Sequence, residues 1–110
     1  MALLVLKFGG TSVGTVERIE AVADKVARFK AAGDDIVVVL SAMSGETNRL
    51  TDLAQQIMEY PTPREMDVLL STGEQVTIAL LSMALEKRGV PARSFTGNQV
   101  QIRTCETHTK

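Results

Sequence analysis

Three short segments carry side chains able to do chemistry. Lys7-Phe-Gly-Gly-Thr-Ser-Val-Gly14 places a cation, two adjacent glycines and two hydroxyls directly after an apolar run. Glycines there let backbone N–H groups reach a phosphate with no Cβ in the way, and a following helix would aim its positive end at the same spot. The same pattern also fits a plain glycine turn with a solvated lysine. Ser41-Ala-Met-Ser-Gly-Glu-Thr-Asn48 again follows an apolar run, and its hydroxyls and amides suit a carboxylate or a phosphate. It equally suits a helix entry capped by Ser44 or Thr47. Ser71-Thr-Gly-Glu74 offers Glu74 as an anionic partner for a substrate ammonium group. Ser71 with Glu74, or Thr72 with Gln75, also reads as a capping box.

Other chemistries find little support. Gly9 and Gly14 have the spacing of a P-loop, but Thr15-Val16 stands where Lys-Ser/Thr is required, and GxGxxG is absent. Cys105 and His108 have no companions with metal-ligand spacing, and a nucleophilic triad has only that one histidine to draw on. Met43, Met58, Met66 and Met83 fall in apolar patterns and read as packing residues.

These segments need elements to position them. Residues 3–8 read as an apolar strand of the kind buried on both faces of a parallel sheet. Val16, Ile19, Val22, Ala23, Val26 and Phe29 predict an amphipathic helix over 15–32, with Thr15 as N-cap and Gly33 as terminator. Ile36 to Leu40 forms a second strand, which begins a βαβ unit. A helix follows over about 47–60. Thr62, Pro63 and Glu65 then open another through a capping box. That pattern continues over 64–88 with an interruption at Ser71–Glu74, and Val76 to Leu85 is apolar on most faces, implying a buried helix. Gly89 and Pro91 stop it. Third and fourth strands are expected at Ala92–Phe95 and Val100–Arg103.

Composition bounds the rest. The 110 residues carry 12 Lys+Arg and 13 Asp+Glu, for a net charge of −1. That size suits one domain or part of one. With no basic cluster, nucleic-acid binding is not expected. One cysteine cannot form an internal disulfide, which fits a reducing compartment. No signal peptide is recognised and the apolar stretches read as too short for a membrane span, so a soluble cytoplasmic chain is expected.

The motifs in this order resemble aspartokinase, of the amino-acid kinase family. The resemblance rests on Lys7-Phe-Gly-Gly-Thr-Ser12, Val38-Val-Leu-Ser-Ala-Met-Ser-Gly-Glu-Thr-Asn48, Ser71-Thr-Gly-Glu74 and Thr96-Gly-Asn-Gln99, and runs from about residue 2 to about 103. It implies an α/β fold: a three-layer α/β/α sandwich with a mainly parallel sheet, of which this is the amino-terminal portion. It implies transfer of the γ-phosphoryl group of ATP, carried with Mg²⁺, to the β-carboxylate of L-aspartate, at the entry to lysine, threonine and methionine synthesis. Lys7, Phe8, Gly9 and Gly10 would face the ATP phosphates, with Lys7 catalytic. Ser41, Thr47 and Glu74 would hold aspartate, Glu74 through its ammonium group, and no residue here would ligate metal.

By the same resemblance, residues 1–110 correspond to the aspartate-binding part of the kinase domain. Most of the nucleotide site and the ACT regulatory domains fall outside it, so this chain alone is expected to be inactive. The whole enzyme is expected to be a homo-oligomer. Cys105 stands where an aspartate commonly follows the threonine. The alternatives are another carboxylate or carbamate kinase of this fold, or a non-catalytic ligand-binding module.

Overall fold

A computed structural model describes residues 2–96. Its elements run β1 (Leu3–Phe8), α1 (Val16–Ala31), β2 (Asp35–Leu40), α2 (Glu46–Ile57) and α3 (Pro63–Lys87). β1 and β2 pair in parallel, with Leu3 opposite Asp35 and Phe8 opposite Leu40. α1 is the crossover between them, which completes the expected βαβ start. Thr15 caps α1 by accepting from the Arg18 amide at 3.2 Å. Gly33 leaves it at a φ of +98°, a left-handed turn that glycine adopts without strain.

The two faces of this sheet differ. Leu6, Phe8, Ile36, Val38 and Leu40 turn toward a core of Ile19, Val22, Ala23 and Val26 from α1 and Leu81, Ala84 and Leu85 from α3. Successive strand residues point to opposite faces, so Leu3, Val5, Val37 and Val39 lie on the other side, 46–69% exposed. The expectation of strands buried on both faces therefore holds for one face among the described residues. One helical layer of the sandwich is seen.

α3 departs most from the sequence reading. It is a single 25-residue helix, and Ser71–Glu74 does not interrupt it. The Ser71 hydroxyl donates to the Val68 carbonyl at 2.8 Å and that of Thr72 to Leu69 at 2.7 Å. Both are bonds back into the same helix, so neither capping box forms there. At the start, Pro63 occupies the first turn, but Thr62 makes no side-chain cap, and Glu65 pairs with Arg64 at 2.7 Å instead. The expected burial on most faces is also incomplete. Thr77, Leu81, Ala84 and Leu85 face inward, whereas Val76 is 47% and Met83 60% exposed. Met83 and the half-exposed Met58 thus lie outside the buried core, while Met43 is packed against it.

By length and composition alone α3 could cross a membrane, with an 18-residue window of mean hydropathy 1.5. The expectation that every apolar stretch is too short for a span is corrected accordingly. Core helices of globular proteins meet the same criterion, and here one side of the helix packs on α1. α2 begins at Glu46 behind a left-handed Gly45 and ends at Ile57, slightly earlier than expected. Residues 92–95 do not form the expected strand. Ala92 rests on the core, and the Arg93 guanidinium lies 5.4 Å from the Phe95 ring centre. The expected strand at 100–103, residues 97–99, Cys105 and His108 lie outside the described residues.

Candidate active site

The end of β2, the amino end of α2 and one side of α3 enclose a cleft of about 510 Å³. Ser41, Thr47 and Glu74, the three residues assigned to the acceptor from sequence, all line it, and Gly10 joins them. Three elements far apart in sequence thus converge on one space, beyond the carboxyl end of a parallel strand, where open α/β sheets bind ligands.

The walls carry opposite polarity. On α3, Glu74 and Asp67 present carboxylates that make no hydrogen bond or ion pair with any described residue. Opposite lies the start of α2. Gly45 caps it without a side chain, and the amide of Glu46 is used by Met43 and that of Arg49 by Gly45. The amides of Thr47 and Asn48 have no acceptor among the described residues. Free N–H groups and the helix dipole make such an end attractive to an anion. Ser41 and Thr47 add hydroxyls. Glu46, the acid nearest this end, is engaged by Arg49 at 2.6 Å, and that guanidinium holds its carboxyl below the usual range.

The glycine segment divides. Lys7 stands on the open face of the sheet beyond the walls of the cleft, with no ion-pair partner among the described residues. The Phe8 ring packs against the core and sits 5.8 Å below the Lys25 ammonium, and its carbonyl accepts from the Ser41 amide at 3.2 Å. A Cβ on Gly9 would meet nothing within 4 Å, whereas one on Gly10 would lie 2.9 Å from the Ala42 carbonyl oxygen. Packing alone therefore accounts for glycine at position 10, and Gly9 is the one facing open space. Among the described residues, no three His, Cys, Asp or Glu side chains come together to hold a metal ion.

Sequence reasoning missed three residues here. Asp67 lies seven positions before Glu74, a spacing that returns to nearly the same helix face, and a continuous α3 would have revealed it. Val13, fully buried, anchors the glycine loop. Thr77, also fully buried, donates to the Ser41 carbonyl at 2.9 Å. No local pattern announces that last bond, because its partner is 36 residues away.

Comparison with known proteins agrees with this fold. The model of the amino acid kinase family matches residues 2–110. Aspartokinase of Pseudomonas aeruginosa is 76% identical over 110 residues, which is all of this chain and 27% of that protein. Aspartokinase of Geobacillus stearothermophilus is 55% identical over 108 residues, 98% of this chain and 26% of that one. The crystal structure of aspartate kinase from Synechocystis superposes with a TM-score of 0.86 at 62% identity, covering 89% of this chain and 17% of that one. The chain spans about a quarter of the length of the curated relatives it matches. With the parallel βαβ start, the cleft at its carboxyl end and a family match over nearly every residue, the chain belongs to the amino acid kinase family.

Proposed function

We propose that this chain is the aspartate-binding part of the kinase domain of an aspartate kinase, which moves the γ-phosphoryl group of ATP to the β-carboxylate of L-aspartate and yields 4-phospho-L-aspartate. The observation that supports this reading is the polarity of the cleft: its lining holds unpartnered carboxylates on α3 together with Thr47, whose amide at the start of α2 is also unpartnered. A zwitterion fits such a space, with its ammonium group at Glu74 and a carboxylate at the amide end. Ser41 and Thr47 would fix its orientation.

The β-carboxylate of aspartate, with a pKa of about 4, is already ionised at neutral pH, so no general base is required of the protein. What remains is positioning and neutralisation of charge. Lys7 would offset charge on the phosphates, and the open backbone at Gly9 would let them approach. Mg²⁺ would arrive with the nucleotide and shield its phosphate oxygens. Most of the nucleotide site would lie in the rest of a longer cytoplasmic, homo-oligomeric protein, so this chain would bind aspartate without turnover.

An amide NMR titration tests the reading. L-Aspartate should shift the amides of Ser41, Thr47 and Glu74, and Glu74→Ala should weaken binding by about tenfold or more, the scale of a lost charge-assisted contact. Succinate, which lacks the ammonium group, should not titrate. Equal binding of succinate, or unchanged affinity in Glu74→Ala, would count against an amino-acid acceptor. Incubation with MgATP, aspartate and hydroxylamine should give no aspartyl hydroxamate, and robust product would overturn the inactivity of this chain.

A further inference from the structure

The loop that forms the floor of the cleft is held from both sides at residues 41–44. From the glycine segment, the Phe8 carbonyl accepts from the Ser41 amide at 3.2 Å and the Gly10 carbonyl from the Ser44 amide at 3.1 Å. From α3, the fully buried Thr77 hydroxyl lies 2.9 Å from the Ser41 carbonyl oxygen and 3.1 Å from that of Glu74. Ala42 sits between two glycines: a Cβ on Gly10 would stand 2.9 Å from its carbonyl oxygen, and one on Gly73 would stand 2.8 Å from its Cβ. Gly73 is in the middle of a helix, where glycine is a poor choice for the backbone. Its place at the closest approach of α3 to the loop supplies the reason.

We infer that Gly73 and Thr77 are positioning residues for the acceptor, holding the 41–44 loop at the spacing where it and Glu74 grip one ligand. Glu74 lies between them on the same helix, so the distance from its carboxylate to Ser41 and to the start of α2 depends on how closely α3 seats against Ala42. Thr77 could satisfy its hydroxyl within its own helix through the Glu74 carbonyl. The bond to Ser41 is the part that reaches the site. A displacement of about 1 Å is enough to spoil a two-ended grip. The inference rests on the amino-acid reading of the cleft, and its test separates the two.

The chain itself is titrated with L-aspartate as wild type, Thr77→Ser, Thr77→Val, Gly73→Ala, the double variant Ala42→Gly/Gly73→Ala, and Val26→Ala as a core control away from the loop. Thr77→Val and Gly73→Ala should each raise the dissociation constant by about tenfold. Thr77→Ser keeps the hydroxyl, and Ala42→Gly removes the nearest atom that the new methyl group would strike, leaving only the flexible Glu46 side chain at 3.3 Å to give way, so both should return affinity to within about twofold of wild type. Val26→Ala should lower stability and leave affinity alone. Wild-type affinity in Thr77→Val and Gly73→Ala, failure of the double variant to recover, or an equal loss in Val26→Ala would overturn the inference. If Thr77→Val does not fold, the glycine and double variants decide.

Amide hydrogen exchange without ligand provides the second arm. The Ser41 and Ser44 amides should exchange about tenfold faster in Gly73→Ala and Thr77→Val, relative to Val22 in α1. A wild-type chain that never responds to aspartate defeats the acceptor reading, and exchange then decides the loop-setting role. Unchanged protection of Ser41 and Ser44 would overturn it.

Discussion

Gly9 and Gly10 are neighbours in sequence, yet they belong to differently built regions. Gly10 is locked against Ala42, in a loop tied to β1, to α3 and to the start of α2. Gly9 has open space where a side chain would be, and Lys7 just before it stands on a sheet face that no described helix covers. The loop lining the cleft is thus tied through its backbone to several described elements, while Lys7 and Gly9 present groups without neighbours among the described residues. The same contrast runs through the sheet, one face of which is packed and the other bare. A region held from several directions is set before ligand arrives, and a bare one takes its geometry from whatever covers it.

Comparing the two sheet faces gives the largest expected effect. Leu81 is 4% exposed in the packed core, and Leu81→Ala should cost about 2–5 kcal/mol in urea unfolding. Val5 is 66% exposed on the bare face, and Val5→Ala should stay within about 0.5 kcal/mol. Comparable losses at the two positions would mean that the bare face is covered in solution, which a concentration dependence of the unfolding midpoint would then reveal.

The adjacent glycines sharpen the contrast further. Gly10→Ala drives a methyl group against a backbone oxygen, and such overpacking should cost about 1–3 kcal/mol. Gly9→Ala meets nothing and has no left-handed φ to strain, so it should be neutral or stabilise by up to about 1 kcal/mol through the unfolded chain. Equal losses at both positions would show that something closes over Gly9 as tightly as Ala42 closes over Gly10.

Much of this architecture is legible in the sequence because its causes are local. The spacing of Ile19, Val22, Ala23 and Val26 predicts the buried side of α1, and Thr15 and Gly33 mark its ends. The resemblance to aspartokinase assigns Ser41, Thr47 and Glu74 to one acceptor, and the structure places them around one cleft. What sequence misreads is long-range. Ser71–Glu74 looks like a helix start because serine, threonine and glycine are weak helix formers. Packing against Ala42 keeps α3 continuous, and the hydroxyls turn back into the helix. Likewise, an apolar strand pattern predicts two buried faces, but it cannot say which residues supply the second cover.

Within the cleft, Asp67 tests how far the acceptor grip extends. Asp67 and Glu74 both line the cleft, and they lie two helical turns apart, roughly 10 Å along the axis of α3. At that range in water, unit charges interact by only about 0.4 kcal/mol. L-Aspartate carries a net negative charge, so Asp67→Asn should tighten binding slightly, by no more than about twofold. A tenfold loss in the NMR titration would instead place Asp67 in contact with the ligand and make the α3 wall a two-carboxylate site.

The last expected effect lies outside the cleft, where α1 and α3 are strapped together at the surface. Glu20 accepts from Lys87 at 2.6 Å and from Arg88 at 2.7 Å, and Arg88 also donates to Asp24 at 2.8 Å. Hydrogen bonds from Lys87 and Arg88 hold the Glu20 carboxyl below its usual value of 4.5. A carboxyl lowered in the folded chain binds protons more readily when unfolded. Its stabilising contribution is therefore full above the unfolded value of 4.5 and disappears as pH falls through the lower folded one. The unfolding midpoint of Arg88→Met should accordingly lie below that of the wild type at pH 7, and the gap should narrow as pH drops below 4.5. It should not close fully, because Arg88 also donates to the Ala84 carbonyl at 2.8 Å, a bond that no carboxyl titration removes. A gap that stays constant down to the most acid condition would assign the strap to that backbone bond and to the packing of the arginine stem, and remove charge from the account of how α1 holds α3.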